Sequence, residues 1–342
     1  MADNNIDNNI MIEPGKEFVR VNQADSVRID KNYASQSFWK DVFARFIRNK
    51  GAIFGAIMIL IIVFFAIFGP GMNEYDFDNV NIPHQNLAPR MPGLENVGIF
   101  DGSEGETNRY KEKNLDDVYY WFGTDTFGRD LWTRTWQGTR ISLYIAFVAV
   151  IIDMAIGMSY GLISGYFGGA VDAVMQRILE IINGIPTLII VTLLMLVMKP
   201  GLSSIITALL ITGWVGMSRV SRAQILKLKE QEFILASRTL GEGSFSIIFK
   251  DILPNIFGQL ITMSMFSIPN AIFSEAFLSF VGLGVPAPMA SLGSLINDGY
   301  KSFLIHPYML VFPALVLALL MLSFNMLADG LRDAFDPRMQ EM

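Results

Sequence analysis

Residues Glu232–Asn255, EFILASRTLGEGSFSIIFKDILPN, form a polar-flanked segment between two apolar runs long enough to cross a bilayer, and its reading decides how the chain is organised. Phe233, Ala236 and Leu240 fall at i, i+3 and i+7, which predicts a short helix with these three on one face and Glu232 and Arg238 turned away. Gly241 ends it, because a glycine just past a helix takes the left-handed conformation without a Cβ penalty. Ser244 is expected to cap a second helix, in which Phe245, Ile248, Phe249, Ile252 and Leu253 share an apolar face until Pro254 breaks or kinks it. A two-turn helix is too short to persist alone in water, so it must lean on something. Periodicity leaves two supports open: the lipid head groups, or another protein.

Working outward, 342 residues with 52% hydrophobic and 17% charged side chains have the composition of a multi-span membrane protein. The net charge of -6 gives no reason to expect nucleic acid. The absence of cysteine excludes disulfides, thiolate metal sites and cysteine nucleophiles. The two histidines, His84 and His306, are far apart in expected loops, which argues against a histidine-rich metal centre.

Spans are expected at about 52–68, 142–164, 174–198, 202–217, 260–283 and 308–327. Arg45, Arg48 and Lys50 precede the first, and Arg219, Arg222, Lys227 and Lys229 follow the fourth. The positive-inside rule therefore puts the amino-terminal tail and the Glu232–Asn255 segment on the cytoplasmic side. The stretch 70–139, rich in Asn, Asp, Pro and Gly with little periodicity, becomes a long extracytoplasmic loop. At its end Trp121, Trp132 and Trp136 beside Arg129, Arg134 and Arg140 read as a head-group belt.

Gly157, Gly161 and Gly165 form a stripe of small residues against which another helix can pack, and Gly51 and Gly55 suit the same close approach. The string Gly157-Met158-Ser159-Tyr160-Gly161 also matches the G-x-S-x-G of serine hydrolases. That reading fails because a nucleophile elbow needs a strand-turn-helix setting and a histidine partner. Arg177 and Glu180 should pair locally, and Pro186 should kink the third span, as a helix lining a gated path requires. Asn270 and Glu275 lie within the fifth span. A carboxylate there, like Asp153 in the second, faces a cavity or a partner, with pairing inside the bundle weighted above substrate contact.

Five separated strings carry a resemblance. Ala236-Ser237, Gly241 and Leu253-Pro254 resemble the EAA loop of bacterial ABC importer permeases, with Leu235 in place of its glutamate and Asp251 in place of an aliphatic residue. Gly123-Thr124-Asp125 with Gly128-Arg129-Asp130, then Gly138-Thr139-Arg140 with Ser142-Leu143, resemble the segment before the second span of oligopeptide and dipeptide (OppC/DppC-like) permeases. So do the strings 275–284 and 325–338, the latter with Ala328 where glycine is usual. The resemblance runs from about residue 38 to the end. Residues 1–37 and about 93–117 fall outside it and look like additions.

The resemblance implies an all-α membrane protein with six transmembrane helices in the type I ABC importer permease fold and a long extracytoplasmic loop between helices 1 and 2. It divides the chain into a cytoplasmic tail (1–50), a first helix (51–69), the loop (70–139), a permease core (140–329) containing a coupling loop (218–258), and a cytoplasmic tail (330–342). It also implies a bacterial cell membrane, a homologous second permease, two cytoplasmic ATPase subunits, an extracytoplasmic substrate-binding protein and a peptide cargo. The ATPase-coupling residues would be Phe233, Ala236, Ser237, Leu240, Gly241, Leu253 and Pro254, with Pro186, Asn270 and Glu275 on the pathway or its gate. No G-x-x-x-x-G-K-[ST] occurs in the chain, so no cofactor is expected on it and ATP with Mg would be held by the partners. The alternatives are dipeptide, nickel or glutathione as cargo on the same fold, an ion-driven carrier relaying through Asp153, Glu180 and Glu275, and a hydrolase centred on Ser159.

Overall fold

The computed structural model describes residues 38–105 and 107–335, so 1–37 of the expected tail and the terminal 336–342 lie outside the described residues. Residues up to Ala44 form a separate unit, whose described part begins helix α1 (Phe38–Arg48). Asn49 then caps α2 (Lys50–Phe68) by accepting from the Ala52 amide, and Gly69–Gly71 closes it with a 3-10 turn. A two-stranded hairpin, β1 (Ser103–Glu104) with β2 (Thr107–Asn108), and a single turn α3 (Arg109–Glu112) interrupt the following segment.

From Leu131 the chain is almost entirely helical. The second span comprises α4 (Leu131–Ile152), a π-helical turn at Asp153–Met158 and α5 (Ser159–Phe167). Then come α6 (Gly169–Gly184), α7 (Thr187–Met198), α8 (Leu202–Thr212) and α9 (Val215–Leu228). The opening segment supplies α10 (Glu232–Thr239) and α11 (Ser244–Ser246), continued through a π-helical turn into α12 (Leu253–Leu278). The last are α13 (Leu292–Ser302) and α14 (Tyr308–Phe335). Five of these runs are long and apolar enough to cross a membrane, and the pair α6 and α7, bent by 77°, passes the same test together and counts as a sixth if taken as one span.

The glycine stripe does what its spacing predicts. A Cβ on Gly161 would stand 2.2 Å from the Ser218 carbonyl oxygen, and one on Gly157 2.7 Å from that of Trp214, so α5 and α9 touch backbone to backbone. Gly55 lets α2 approach the Ser323 carbonyl of α14 in the same way.

Several expectations are corrected. The third span is broken rather than kinked: Ile185, pushed to extended backbone by the following proline, separates α6 from α7. Pro254 neither breaks nor ends its helix. The wider i→i+5 turn at Ile247–Ile252 precedes the missing N–H, and α12 continues past it to Leu278. The α13 helix was not expected within the outer loop, and its serine capping box, Ser291 with Ser294, explains where it starts.

The 70–130 segment is a folded unit rather than an irregular loop. Arg90 holds it from the centre, donating to Glu95 Oε2 at 2.7 Å and to the carbonyls of Leu115, Asp116 and Val118, with its guanidinium against Tyr110 and Tyr119. Nor do the tryptophans and arginines form a belt. Trp132, Trp136, Arg129 and Arg134 are buried, Asp125 accepts from Arg129 at 2.7 Å, and Asp130 caps α4 at the Thr133 amide. Only Arg140 of the three arginines is exposed, and it binds the carbonyls of Ala66 and Ile67 at the end of α2.

Candidate functional site

The α10 segment follows the end of α9 and has one buried side chain. Ile234 is fully buried among Ile225, Ile247, Ile248, Ile252 and Ile256, while Phe233, Leu235 and Leu240 are exposed. Burying one isoleucine in this way contributes about 1.5–3 kcal/mol, which compensates for a helix too short to persist alone. The helix then ends in a two-bond glycine turn. The Glu242 amide donates to the Ser237 carbonyl at 3.1 Å and the Gly241 amide to that of Arg238 at 3.0 Å, with Gly241 at φ +82°. Ser246 Oγ donates to Glu242 Oε1 at 2.6 Å and ties the next helix to this turn.

Two expectations here are corrected. Gly243, in extended backbone, occupies the N-cap, so Ser244 is the first helical residue and caps nothing. Arg238 does not point away, because its guanidinium lies 4.9 Å above the ring of Tyr166.

Of the coupling residues, Phe233, Ala236, Leu240, Gly241 and Pro254 lie on the surface. Ser237 is half-buried with its hydroxyl on the Phe233 carbonyl, and Leu253 packs against the isoleucine cluster. The expected face of the second helix divides: Ile248 and Ile252 are buried, whereas Phe245 and Phe249 are exposed. Phe167 from the α5–α6 turn, also exposed, has its ring 6.3 Å from that of Phe245. Sequence reasoning missed Phe167 and the anchor Ile234. The i, i+4 pair of Phe245 and Phe249 was visible, but both rings are exposed while Ile248 and Ile252 are buried.

The surroundings hold this end of α9 in place. Arg222 makes a two-pronged contact to Asp172 of α6, at 2.6 and 2.5 Å, and Ser164 Oγ donates to the same carboxylate. Lys229 Nζ donates to the Gly165 carbonyl at 3.1 Å.

The three pathway candidates separate. Pro186 stands at the 77° break between α6 and α7. Asn270 lines a cavity of about 230 Å³ together with Asp153. Glu275 is 1% exposed and accepts from Ser142 Oγ at 2.8 Å and Ser279 Oγ at 2.7 Å, which ties α12 to α4. Glu180 pairs with Arg177 at 2.6 Å on an exposed face, so no hydrogen bond joins Asp153, Glu180 and Glu275 among the described residues. Ser159 sits within a continuous helical run, His84 bonds Tyr120, and His306 bonds Glu104, which leaves the serine without a histidine base.

Residues 157–341 match the family model described as binding-protein-dependent transport system inner membrane component, and residues 37–89 match the N-terminal TM domain of oligopeptide transport permease C. The chain is 41% identical to the oligopeptide transport system permease protein OppC of Bacillus subtilis (strain 168), over 97% of its own length and 98% of that protein. Identity to the dipeptide transport system permease protein DppC of the same strain is 41% over 93% and 90%. To DppC of Lactococcus lactis subsp. cremoris (strain MG1363) it is 44% over 89% and 92%.

Proposed function

From the premise that this chain belongs to the binding-protein-dependent transport system inner membrane components, we propose that it is the permease subunit of a peptide importer, pushed from the cytoplasm through α10. The observation that carries this reading is the exposure of Leu240 (87%) and Phe233 (45%) on and beside a helix whose one buried residue is Ile234. Such an apolar rim, extended by Leu235, Phe245, Phe249 and Phe167, matches a surface that another subunit covers.

In this reading both termini are cytoplasmic and two ATPase subunits engage α10 and its counterpart on a homologous second permease. Their closure on ATP displaces α10, and Ile234 and the glycine turn transmit the displacement to α9 and α12. An extracytoplasmic binding protein delivers the peptide to the opposite end, and oligopeptides or dipeptides are the cargo class. The single chain forms half of the path.

Because the chain has no cysteine, Ala236→Cys creates its one thiol. A short bifunctional thiol reagent should join that position to the ATPase subunit in the assembled complex. Linkage to the extracytoplasmic binding protein instead, or no linkage to a nucleotide-hydrolysing subunit, would overturn the reading.

A further inference from the structure

A cleft of about 230 Å³, open at the surface of the bundle beside the exposed Gly213, Gly216 and Asn270, is walled on its polar side by Asp153, Ser267, Asn270 and Ser274. The polar groups of its wall are one carboxylate, one amide and two hydroxyls, set among apolar residues such as Leu209, Met217, Met263 and Phe266, with no Lys, Arg or His. The Ser267 hydroxyl donates to the Met263 carbonyl at 3.3 Å and is also in hydrogen-bond reach of the Asp153 carboxylate, while its oxygen keeps lone pairs with which to accept. Asp153 opens the π-helical turn Asp153–Met158, an irregularity that re-aims a side chain within an otherwise regular span. Among the described residues no cation is paired with it. A carboxylate inside a span is costly without a counter-charge, and this cavity offers acceptors to whatever brings one.

We infer that this cavity receives the protonated amino terminus of the peptide in transit. Asp153 is its counter-ion, and Asn270 and the serine oxygens are its neutral acceptors. An ammonium group has three donors and no acceptor, which complements this wall. The inference rests on the peptide-importer reading, which supplies the amine. Neither the family match nor the coupling segment requires it.

The absence of cysteine supplies the test. In the assembled complex in nanodiscs, Ser274→Cys is labelled with a cationic (ethylammonium) and an anionic (ethylsulfonate) methanethiosulfonate, with and without Asp153→Asn. A neighbouring carboxylate should raise the cationic-to-anionic rate ratio about ten-fold over that of the D153N background. Trialanine should slow labelling of Ser274→Cys, and N-acetyl-trialanine should not.

An unchanged ratio in D153N would remove the counter-ion. Equal protection by both forms of trialanine, or by sodium chloride, would overturn recognition of an amine. Protection by an N-acetylated lysine peptide but not by trialanine would overturn assignment to the terminus. Should D153N fail to assemble, Asn270→Leu serves instead: it should keep the reagent preference and lose the trialanine protection, and retained protection would overturn the inference. Uptake of labelled trialanine by the wild-type complex is measured in parallel. Failure there counts against the importer reading, while the reagent ratio still reports on Asp153.

Discussion

The guanidinium of Arg238 lies 4.9 Å over the ring of Tyr166, so the exposed helix α10 rests on the last turn of α5. Tyr166 belongs to the same buried cluster as Ile234, and the two contacts hold α10 from two sides. Arg238→Gln removes the cation and should cost about 0.5–1 kcal/mol of local stability. The expected outcome is an assembled complex whose ATP hydrolysis responds several-fold less to loaded binding protein. Tyr166→Phe keeps the ring and should behave as wild type in the same ATPase assay.

Gly241 is a conformational position and nothing else: a Cβ there would meet no atom within 4 Å, yet φ is +82°. Gly241→Val should cost on the order of 1 kcal/mol or more through backbone strain alone. Gly241→Asn, which tolerates the left-handed region, should cost less. Ordering of the two variants by stimulated ATPase activity, with Asn above Val, is the check, and equal loss in both would point to a steric cause.

The glycine stripe makes the opposite forecast. Gly161→Ala puts a methyl 2.2 Å from the Ser218 carbonyl oxygen and 2.6 Å from Ser221 Cβ, so α5 and α9 must separate. The expected destabilisation is about 1–3 kcal/mol. Gly184→Ala, helical and with open space around its Cβ, should be neutral or stabilising by up to about 1 kcal/mol. Thermal unfolding in detergent, monitored by circular dichroism, separates the two.

Glu275 is a structural carboxylate by its contacts, and its replacement should be read in stability rather than in cargo choice. Glu275→Leu leaves the Ser142 and Ser279 hydroxyls without their acceptor. The cost should be about 1–3 kcal/mol per orphaned group. Glu275→Gln retains one acceptor oxygen and should lose less in the same melt.

The 70–130 unit should loosen in acid. His84 Nδ1 lies 2.7 Å from the Tyr120 hydroxyl and 3.0 Å from the Asn81 amide, and with the ring proton on Nε2 it accepts from both. Burial, with Lys113 nearby, holds the imidazole below its ordinary 6.5. The folded unit therefore binds fewer protons than the unfolded chain. This stabilisation is present above 6.5 and is lost as pH falls from there through the depressed folded value. Amide protection factors across 81–124, taken relative to the intrinsic exchange rate at each pH, should fall between about pH 7.5 and 5.5. His84→Gln should remove that part of the pH dependence.

Where a residue type dictated its own geometry, the sequence was legible. Gly241 declared a left-handed turn, and the four-residue spacing of Gly157, Gly161 and Gly165 declared a close helix contact, because both depend on the missing side chain alone. Cumulative partners were harder to read. Ile234 looks like any aliphatic residue of α10, and only the folded arrangement of five other isoleucines makes it the anchor. Phe245 and Phe249 lie exposed beside the π-helical turn Ile247–Ile252, and no propensity marks such a turn. The unit centred on Arg90 escaped for a different reason: it is held by carbonyls some 25 residues away, which local patterns do not record.

The same unit fastens one rim of the bundle. Trp132 Nε1 donates to the Gly69 carbonyl, Tyr308 Oη to that of Thr124, and Glu104 pairs with His306, so the ends of α2, α4 and α14 are stitched together there. At the opposite rim α10 hangs from one isoleucine and one tyrosine. On the coupling reading proposed above, a bundle clasped at one edge turns a small sideways thrust on α10 at the other into a pivot about the clasp, as in a folded fan, and the staves open without the clasp itself having to yield.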